Sequence, residues 1–298
     1  FLDNTVIYQD STLWHEGLGS TSSDRNTYSN DLFTKEAIAF IKKDKESPFF
    51  LYVPLTLPHD NGEQTADEQF EVPDQGPYQG RSWTKNQKDY AAMVSRMDET
   101  LGQIRKTLQE EGLAENTLLI FTSDNGPYRN HPTTEFFNSN GALRGGKRDL
   151  YEGGIRVPFI AEWPGTIAPK TTASHAAGFW DVMATLVALT GYKEATNSDG
   201  ISFLPTLVGA GTQKVHPNHY WEFHGGNTSL QAVREGDYKL ITFYSPKKDT
   251  ITTELYDLAN DLGETNNIAD RHPEVVNRLD SLAKSLRSPS EYFEFPKK

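Results

Sequence analysis

Two apolar runs of strand length, joined by a long amphipathic helix, constrain the fold of this chain most strongly. The first run, residues 49–53, is apolar on both parities, which is typical of a parallel strand buried on both faces. A second apolar run follows at residues 117–122. Between them, residues 88–110 carry apolar side chains every three or four positions, namely Tyr90, Val94, Met97, Leu101, Ile104 and Leu108. Strand, helix and strand in this order form the crossover unit of a parallel sheet.

The pattern of predicted helices and strands changes after about residue 212. Before it, we predict further helices at residues 31–43 and 180–190 and a third strand at 157–162. After it, four short apolar stretches predict an antiparallel sheet, and residues 273–287 predict a helix that covers it. We therefore predict two domains: residues 1–212 are the C-terminal portion of an α/β catalytic domain, and residues 213–298 are a small α+β subdomain.

Charge and composition exclude several functions. The formal net charge is −12, which argues against non-specific binding of nucleic acid. An anionic substrate would therefore need a local attraction, from a bound cation or from clustered Lys and Arg. The chain has no Cys, so thiolate metal sites and cysteine nucleophiles are excluded within it. No apolar run approaches the length of a membrane span.

Polar residues suited to catalysis follow the predicted strands. His59 comes shortly after the first strand, and Asp124 and Asn125 come directly after the second. Sites form at the carboxyl ends of strands in parallel sheets, and adjacent carboxylate and amide oxygens suit Ca²⁺ or Mg²⁺. An ordinary Asp-Asn-Gly turn and a structural histidine remain the alternatives.

A basic, glycine-rich loop at residues 143–148 contains Lys147, whose ammonium could bind a tetrahedral oxyanion. Glu152 and Arg156 follow it and could pair to brace it. His216, His219 and His224 suggest a zinc site, but in a strand His219 and His224 point to opposite faces. We therefore interpret these three histidines as core or pocket-edge residues.

Taken together and in order, several stretches resemble the type I sulfatases of the alkaline-phosphatase-like superfamily. The most specific part runs from Ser123 to Gly165. The matching segments are residues 48–52, 58–59, 116–126, 143–147, 151–158, 163–165, 199–202 and 254–258. The resemblance implies an α/β fold whose mostly parallel sheet is flanked by helices and incomplete here, with a small C-terminal antiparallel sheet and a helix.

The resemblance also implies the chemistry, which would be hydrolysis of a sulfate ester on a sulfated carbohydrate. Asp124 and Asn125 would be ligands of a divalent cation, usually Ca²⁺, with Mg²⁺ as the alternative. Lys147 would contact the sulfate, and His59 would hydrogen-bond the sulfate or the leaving-group oxygen. Further candidates for substrate binding are Arg144, Tyr128, His131, Glu222 and His224.

One part of the family pattern is missing from this sequence. The family nucleophile is a formylglycine made from Cys or Ser in a C-x-P-S-R or S-x-P-S-R motif, and neither motif occurs here. We expect it on an N-terminal segment outside this chain, and we expect the chain alone to be inactive. The resemblance implies a periplasmic or extracellular protein. A phosphoester hydrolase or transferase of the same superfamily and a non-catalytic module that binds anionic glycans remain open.

Overall fold

A computed structural model describes residues 7–9, 12–15, 26–43, 47–62, 64–193, 197–225, 228–245 and 250–292. The chain divides into two compact units, Phe1–Leu119 and Ile120–Lys298, which are considered separately below. In the described part of the chain, no helix combines the length and the apolar character needed to cross a lipid bilayer.

The first unit is built on two packed helices. Strands β1 (Ile7–Gln9) and β2 (Thr12–His15) pair antiparallel ahead of helix α1 (Ser29–Lys42). Helix α2 (Lys85–Glu110) begins three residues earlier than the apolar period predicts. A capping box explains the earlier start, because Thr84 accepts the Gln87 N–H while the Gln87 side chain accepts the Thr84 N–H.

The predicted strand at residues 49–53 is wrong. The segment forms neither a helix nor a strand ladder with the described residues, and only alternate side chains are partly buried. Phe49, Leu51 and Val53 pack against the core that α1 and α2 share, whereas Phe50 and Tyr52 are 70% and 74% exposed. The run is apolar at odd and at even positions, but in this chain only the side chains at the odd positions are covered, and those at positions 50 and 52 are exposed.

The second unit begins with a strand pair and several helices. Strand β3 (Leu119–Thr122) pairs with β4 (Phe159–Glu162), and both lie where the sequence predicts strands. Helices α3 (Pro132–Phe136) and α4 (Glu152–Ile155) lie between them in the chain. Helix α5 (Trp180–Thr190) ends at Gly191, as predicted, because Gly191 adopts a left-handed conformation with φ +67°. Helix α6 (Leu204–Val208) follows.

A four-stranded antiparallel sheet completes the second unit. Its strands are β5 (His219–Gly225), β6 (Thr228–Glu235), β7 (Tyr238–Ser245) and β8 (Thr250–Asp257), and they pair in sequence order. This C-terminal sheet confirms the four predicted strands, and helix α7 (Pro273–Leu286) confirms the predicted helix.

Both faces of the C-terminal sheet are covered, because successive side chains of a strand point to opposite sides. Val233, Leu240 and Leu255 pack against Leu279 and its neighbours on α7. The other face packs against residues around α4; the members of this second cluster include Leu150, Tyr151, Ile155, Ala232, Ile241 and Tyr256. The sheet therefore supports the segment that precedes α4, and that segment contains the predicted sulfate-binding lysine.

We expect Leu279→Ala to lower the free energy of unfolding of the second unit by about 2–5 kcal/mol, because Leu279 is fully buried under the sheet. Leu286→Ala on the same helix is the matched control. Leu286 is 37% exposed, and its truncation should cost only about 0.5 kcal/mol. Urea unfolding of both variants measures the difference, and equal losses would contradict this packing.

Candidate active site

The turn after β3 presents the predicted metal ligands. Asp124 Oδ1 accepts the backbone N–H of Asn125 at 2.9 Å, and Ser123 Oγ donates to the Asn125 carbonyl at 3.1 Å. The side-chain NH₂ of Asn125 donates to the Gly126 carbonyl at 2.9 Å. The amide oxygen of Asn125 and the exposed carboxylate of Asp124 therefore remain as oxygen ligands on one tight turn.

Two backbone hydrogen bonds join this turn to residues 144–151, which we call the Lys147 loop, and to α4. The Lys147 N–H donates to the Pro127 carbonyl at 2.8 Å, and the Gly126 N–H donates to the Gly154 carbonyl at 2.9 Å. The backbones approach so closely that a Cβ built on Gly126 would lie 1.8 Å from the Gly153 carbonyl oxygen. The backbones of residues 124, 125 and 147 therefore belong to one hydrogen-bonded substructure.

Hydrogen bonds within the Lys147 loop hold its shape. Asp149 Oδ2 accepts the Gly146 N–H at 3.1 Å, and its Oδ1 forms an ion pair with Arg129. Asn140 Nδ2 donates to the Gly145 carbonyl at 2.8 Å. The loop is therefore held both to the turn and to the residues that precede it, although the sequence gives it the appearance of a solvated basic loop.

Tyr128 and His131 lie directly after the turn and stack on each other. Their ring centroids are 5.2 Å apart and the planes are inclined by 25°. Thr134 Oγ1 donates to the Tyr128 carbonyl at 2.6 Å, and the Thr133 N–H donates to His131 Nδ1 at 3.2 Å. These two predicted substrate-binding residues are therefore positioned together by the start of α3.

Arg144 points toward the C-terminal sheet. Its Nη1 donates to the Tyr256 hydroxyl at 2.7 Å and to the Glu264 carbonyl at 2.9 Å. Its guanidinium also lies 4.0 Å from the centroid of the Tyr151 ring. These contacts give Arg144 a structural role at one end of the Lys147 loop, in addition to the substrate contact that the sequence predicts.

Glu222 and His224 lie on one face of β5 and contact each other. Glu222 Oε2 accepts from the Tyr220 hydroxyl at 2.5 Å and from Arg287 Nε at 2.9 Å, and His224 Nε2 lies 3.4 Å from Glu222 Oε1. Burial opposes the charge of Glu222, but these hydrogen bonds hold its pKa below the usual range. The described contacts of this pair are within the sheet and with Arg287.

His59 belongs to the first unit. Its Nδ1 lies 2.6 Å from the backbone carbonyl oxygen of Asp60 and 3.3 Å from Asp60 Oδ1, and the side chain is 58% exposed. The neighbouring aspartate therefore orients the imidazole, while most of the ring is open to solvent.

The other predicted histidines lie partly buried in the second unit. His219 stacks on Trp221, with ring centroids 5.8 Å apart. His224 lies with Glu222 on the opposite face of β5. The prediction that His219 and His224 point to opposite faces of the strand is therefore confirmed. His216 Nε2 lies 2.7 Å from Oδ1 of Asp181, which is completely buried. The three histidines are partly buried, and their interpretation as core or pocket-edge residues stays a prediction.

Comparison with known proteins decides the family. The sequence profile described as Sulfatase matches residues 3–192, and the profile described as N-sulphoglucosamine sulphohydrolase, C-terminal, matches residues 145–290. The chain belongs to the sulfatase family.

Similar sulfatases are considerably longer than this chain. An N-acetylgalactosamine-6-O-sulfatase of Bacteroides thetaiotaomicron is 32% identical over 278 residues, which cover 87% of this chain and 51% of that protein. Arylsulfatase A of Homo sapiens is 32% identical over 266 residues, which cover 80% of this chain and 48% of that protein. The chain therefore spans about half the length of the relatives it matches.

Solved structures confirm the predicted fold class, the alkaline-phosphatase-like α/β fold. BT33336S-sulf, from work on glycosaminoglycan metabolism by Bacteroides thetaiotaomicron, has a TM-score of 0.67 at 30% identity and covers 86% of this chain and 54% of its own. Ps i-CgsB in complex with k-i-k-neocarrahexaose has a TM-score of 0.71 at 25% identity, with coverage of 92% and 56%.

The ligand set of the turn suits part of a sulfatase metal site. Asp124 and Asn125 offer the hard oxygen ligands that Ca²⁺ and Mg²⁺ prefer. Within the described ranges, no three His, Cys, Asp or Glu side chains are grouped so that they could hold a metal ion. Because Ca²⁺ takes about six to eight oxygens, this pair could supply only part of its coordination shell.

We predict that His219 makes the second unit less stable in mild acid. Burial lowers the pKa of His219, the nearby charges of His216 and Arg234 lower it further, and Asp181 opposes them. The unfolded chain therefore takes up this proton more readily, so stability is complete above the ordinary imidazole pKa of about 6.5 and decreases as the pH falls below it.

His219→Gln removes this contribution. Between about pH 7 and about pH 5, urea unfolding should show a smaller loss of stability in His219→Gln than in the wild-type chain. An identical pH dependence in both proteins would contradict the assignment to His219.

Proposed function

We propose that this chain forms part of the active site of a sulfuric ester hydrolase that acts on a sulfated carbohydrate. The observation that carries the proposal is the substructure in which backbone hydrogen bonds join the Asp124–Asn125 turn to the Lys147 loop. The candidate oxygen ligands and the backbone of Lys147 are thereby joined within a chain of the sulfatase family, which supports the proposal.

The chemistry of sulfate ester hydrolysis explains why these residue types would be needed. Attack at sulfur and departure of the alcohol change the charge on the sulfate oxygens, and cationic groups aimed at those oxygens lower the barrier. Lys147 would supply one positive charge directly. Asp124 and Asn125 would hold a divalent cation, Ca²⁺ or Mg²⁺, which when bound acts as a Lewis acid on the sulfate.

His59 would donate a hydrogen bond to the sulfate or to the leaving-group oxygen. The Asp60 carbonyl oxygen, 2.6 Å from His59 Nδ1, favours the tautomer with a proton on that nitrogen. In that tautomer Nε2 accepts a proton, and in the imidazolium it donates one. In this orientation Nε2 could therefore bind or protonate a substrate oxygen only when it carries a proton.

The formylglycine nucleophile would come from an N-terminal segment outside these 298 residues, and two observations support that proposal. The match covers most of this chain but only about half of the relative, 87% against 51%. In addition, large apolar side chains are exposed in each unit: Phe50 and Tyr52 in the first, and Phe159 and Ile160 in the second. Exposed apolar patches typically mark surfaces that another segment covers.

The substrate class is proposed from the relatives and from the aromatic pair beside the turn. One relative is named an N-acetylgalactosamine-6-O-sulfatase, and one structural neighbour is in complex with k-i-k-neocarrahexaose. Tyr128 is 45% exposed and braced by His131, so its ring could pack against a sugar. Arg144, Glu222 and His224 stay as further candidates for substrate binding, and we propose a periplasmic or extracellular location.

We predict that Lys147→Ala and Asp124→Ala each lower kcat for sulfate ester hydrolysis by about 10²–10³-fold, because each removes stabilisation of charge in the transition state. The assay is sulfate release from a sulfated carbohydrate by a complete sulfatase domain that includes this chain, with Ca²⁺ and with a chelator. Arg148→Ala is the matched control, because Arg148 is an exposed cation on the same loop and should be dispensable.

Unchanged turnover in both variants would refute the site assignment. Faster release of phosphate than of sulfate from matched aryl esters would favour a phosphoester hydrolase. Binding of a sulfated glycan without any release would favour a non-catalytic binding module.

A further inference from the structure

A cluster of buried charges lies beside the Lys147 loop, and the proposed reaction does not use it. Lys239 on β7 is completely buried, and its Nζ lies 2.9 Å from Glu152 Oε1 and 2.9 Å from Glu264 Oε1. Both carboxylates are also buried, and Arg156 Nε donates to Glu152 Oε2 at 2.8 Å. Because unpaired buried charges are strongly unfavourable, the members of such a cluster depend on one another for their positions.

Glu264 connects this cluster to both ends of the Lys147 loop. Its Oε2 accepts the backbone N–H of Glu152, the residue that follows the loop, at 2.6 Å. Its backbone carbonyl accepts from Arg144, the first residue of the loop, at 2.9 Å. A single residue therefore fixes where the loop begins and where it ends.

The backbone of Glu264 supports this interpretation independently. Its φ is +53°, in the left-handed region that a residue with a Cβ adopts only at a cost. Such a conformation persists where the surrounding contacts determine it, and it is concentrated at sites where position matters. Glu264 has those contacts, because its side chain is completely buried against Lys239 and Glu152.

Aromatic contacts hold the same segment to the C-terminal sheet. The hydroxyls of Tyr151 and Tyr256 both donate to Glu254 Oε2, at 2.5 Å and 2.7 Å. Leu150 and Ile155 pack with Ile241 in the same apolar cluster. Charged, polar and apolar contacts thus all attach the loop to one face of the sheet.

We propose that Lys239, Glu264 and Glu152 are positioning residues for Lys147, so that the C-terminal sheet determines where the ammonium group lies relative to the Asp124–Asn125 turn. The connection runs from the buried charges to the ends of the loop, and from the loop to the turn through the Lys147–Pro127 hydrogen bond. The inference rests on the proposed function only in taking Lys147 as a substrate contact.

Amide hydrogen exchange in the 298-residue chain tests the structural part. Lys239→Met removes the central cation, and we expect the amides of Lys147 and Gly126 to exchange roughly tenfold faster or more. The control is His216→Gln, which disrupts the buried contact between His216 and Asp181 in the same unit and should leave those two amides unchanged. Equal protection of both amides in Lys239→Met and in the wild-type chain would overturn the proposal.

A second variant keeps the test decisive if Lys239→Met does not fold. Lys239→Met combined with Glu264→Gln removes one of the two uncompensated carboxylates while it keeps the shape of the side chain. We expect this double variant to fold and to show the same faster exchange at Lys147. Protection equal to that of the wild-type chain would again overturn the proposal.

Kinetic measurements distinguish a positioning role of these residues from an effect on protein stability alone. They use a complete sulfatase domain that includes this chain. At a temperature where all variants are folded, the double variant should lose about 10–100-fold in kcat with little change in KM, as for other residues that orient a reacting group. His216→Gln should keep the wild-type kcat. A wild-type kcat in the double variant would overturn the positioning role. A wild-type domain that releases no sulfate would refute the proposed function instead, and amide exchange would still decide the contact with the loop.

Discussion

The close backbone contact between the turn after β3 and the Lys147 loop is the constraint on which the candidate site depends. Two hydrogen bonds, from Gly126 to Gly154 and from Lys147 to Pro127, define it. Side chains are excluded on both sides, because a Cβ on Gly126 would lie 1.8 Å from the Gly153 carbonyl oxygen and a Cβ on Gly146 would lie 2.4 Å from the Pro127 carbonyl oxygen. The glycines therefore allow the two backbones to lie in direct contact. This contact fixes the position of Asp124 and Asn125 relative to the backbone of Lys147.

Support for this contact comes from a part of the chain that carries none of the proposed catalytic residues. The C-terminal sheet buries one face under α7 and the other under residues around α4. Lys239, Glu152 and Glu264 add buried ion pairs to that second face. A site on a loop that is held at both ends by a rigid sheet keeps its geometry better than a site on an unsupported loop.

Sequence patterns predicted the elements with strong periodicity and clear endings. Helices α5 and α7 and the strands of the C-terminal sheet were predicted because turn residues and apolar spacing mark their limits. The strand predicted at residues 49–53 was wrong, because apolar residues on both parities do not reveal whether a partner covers each face. The resemblance to sulfatases implied that Asp124, Asn125 and Lys147 belong to a common site, whereas the turn and the glycine-rich stretch by themselves left an ordinary turn and loop as alternatives.

Long-range charge pairing could not be predicted from the same patterns. Lys239 lies in a strand and Glu264 lies in a loop, and either would ordinarily be interpreted as a solvated charge. Their partner Glu152 is separated from them by 87 and 112 residues, so no local spacing indicates the contact. Sequence reasoning predicted only the short-range part of this cluster, the pair of Glu152 and Arg156, which the structure confirms at 2.8 Å.

Gly126→Ala tests the central claim most directly, because it places a methyl group where the turn meets α4. In a complete sulfatase domain that includes this chain, we expect sulfate release to fall by about 10²-fold or more, as for a displacement of about 1 Å at a reacting centre. The C-terminal sheet should still be folded in the absence of urea, although its unfolding midpoint should fall because α4 packs beside it. Gly102→Ala on the exposed side of α2, where a Cβ meets nothing within 4 Å, is the control and should keep full activity. Wild-type sulfate release by Gly126→Ala would contradict the account.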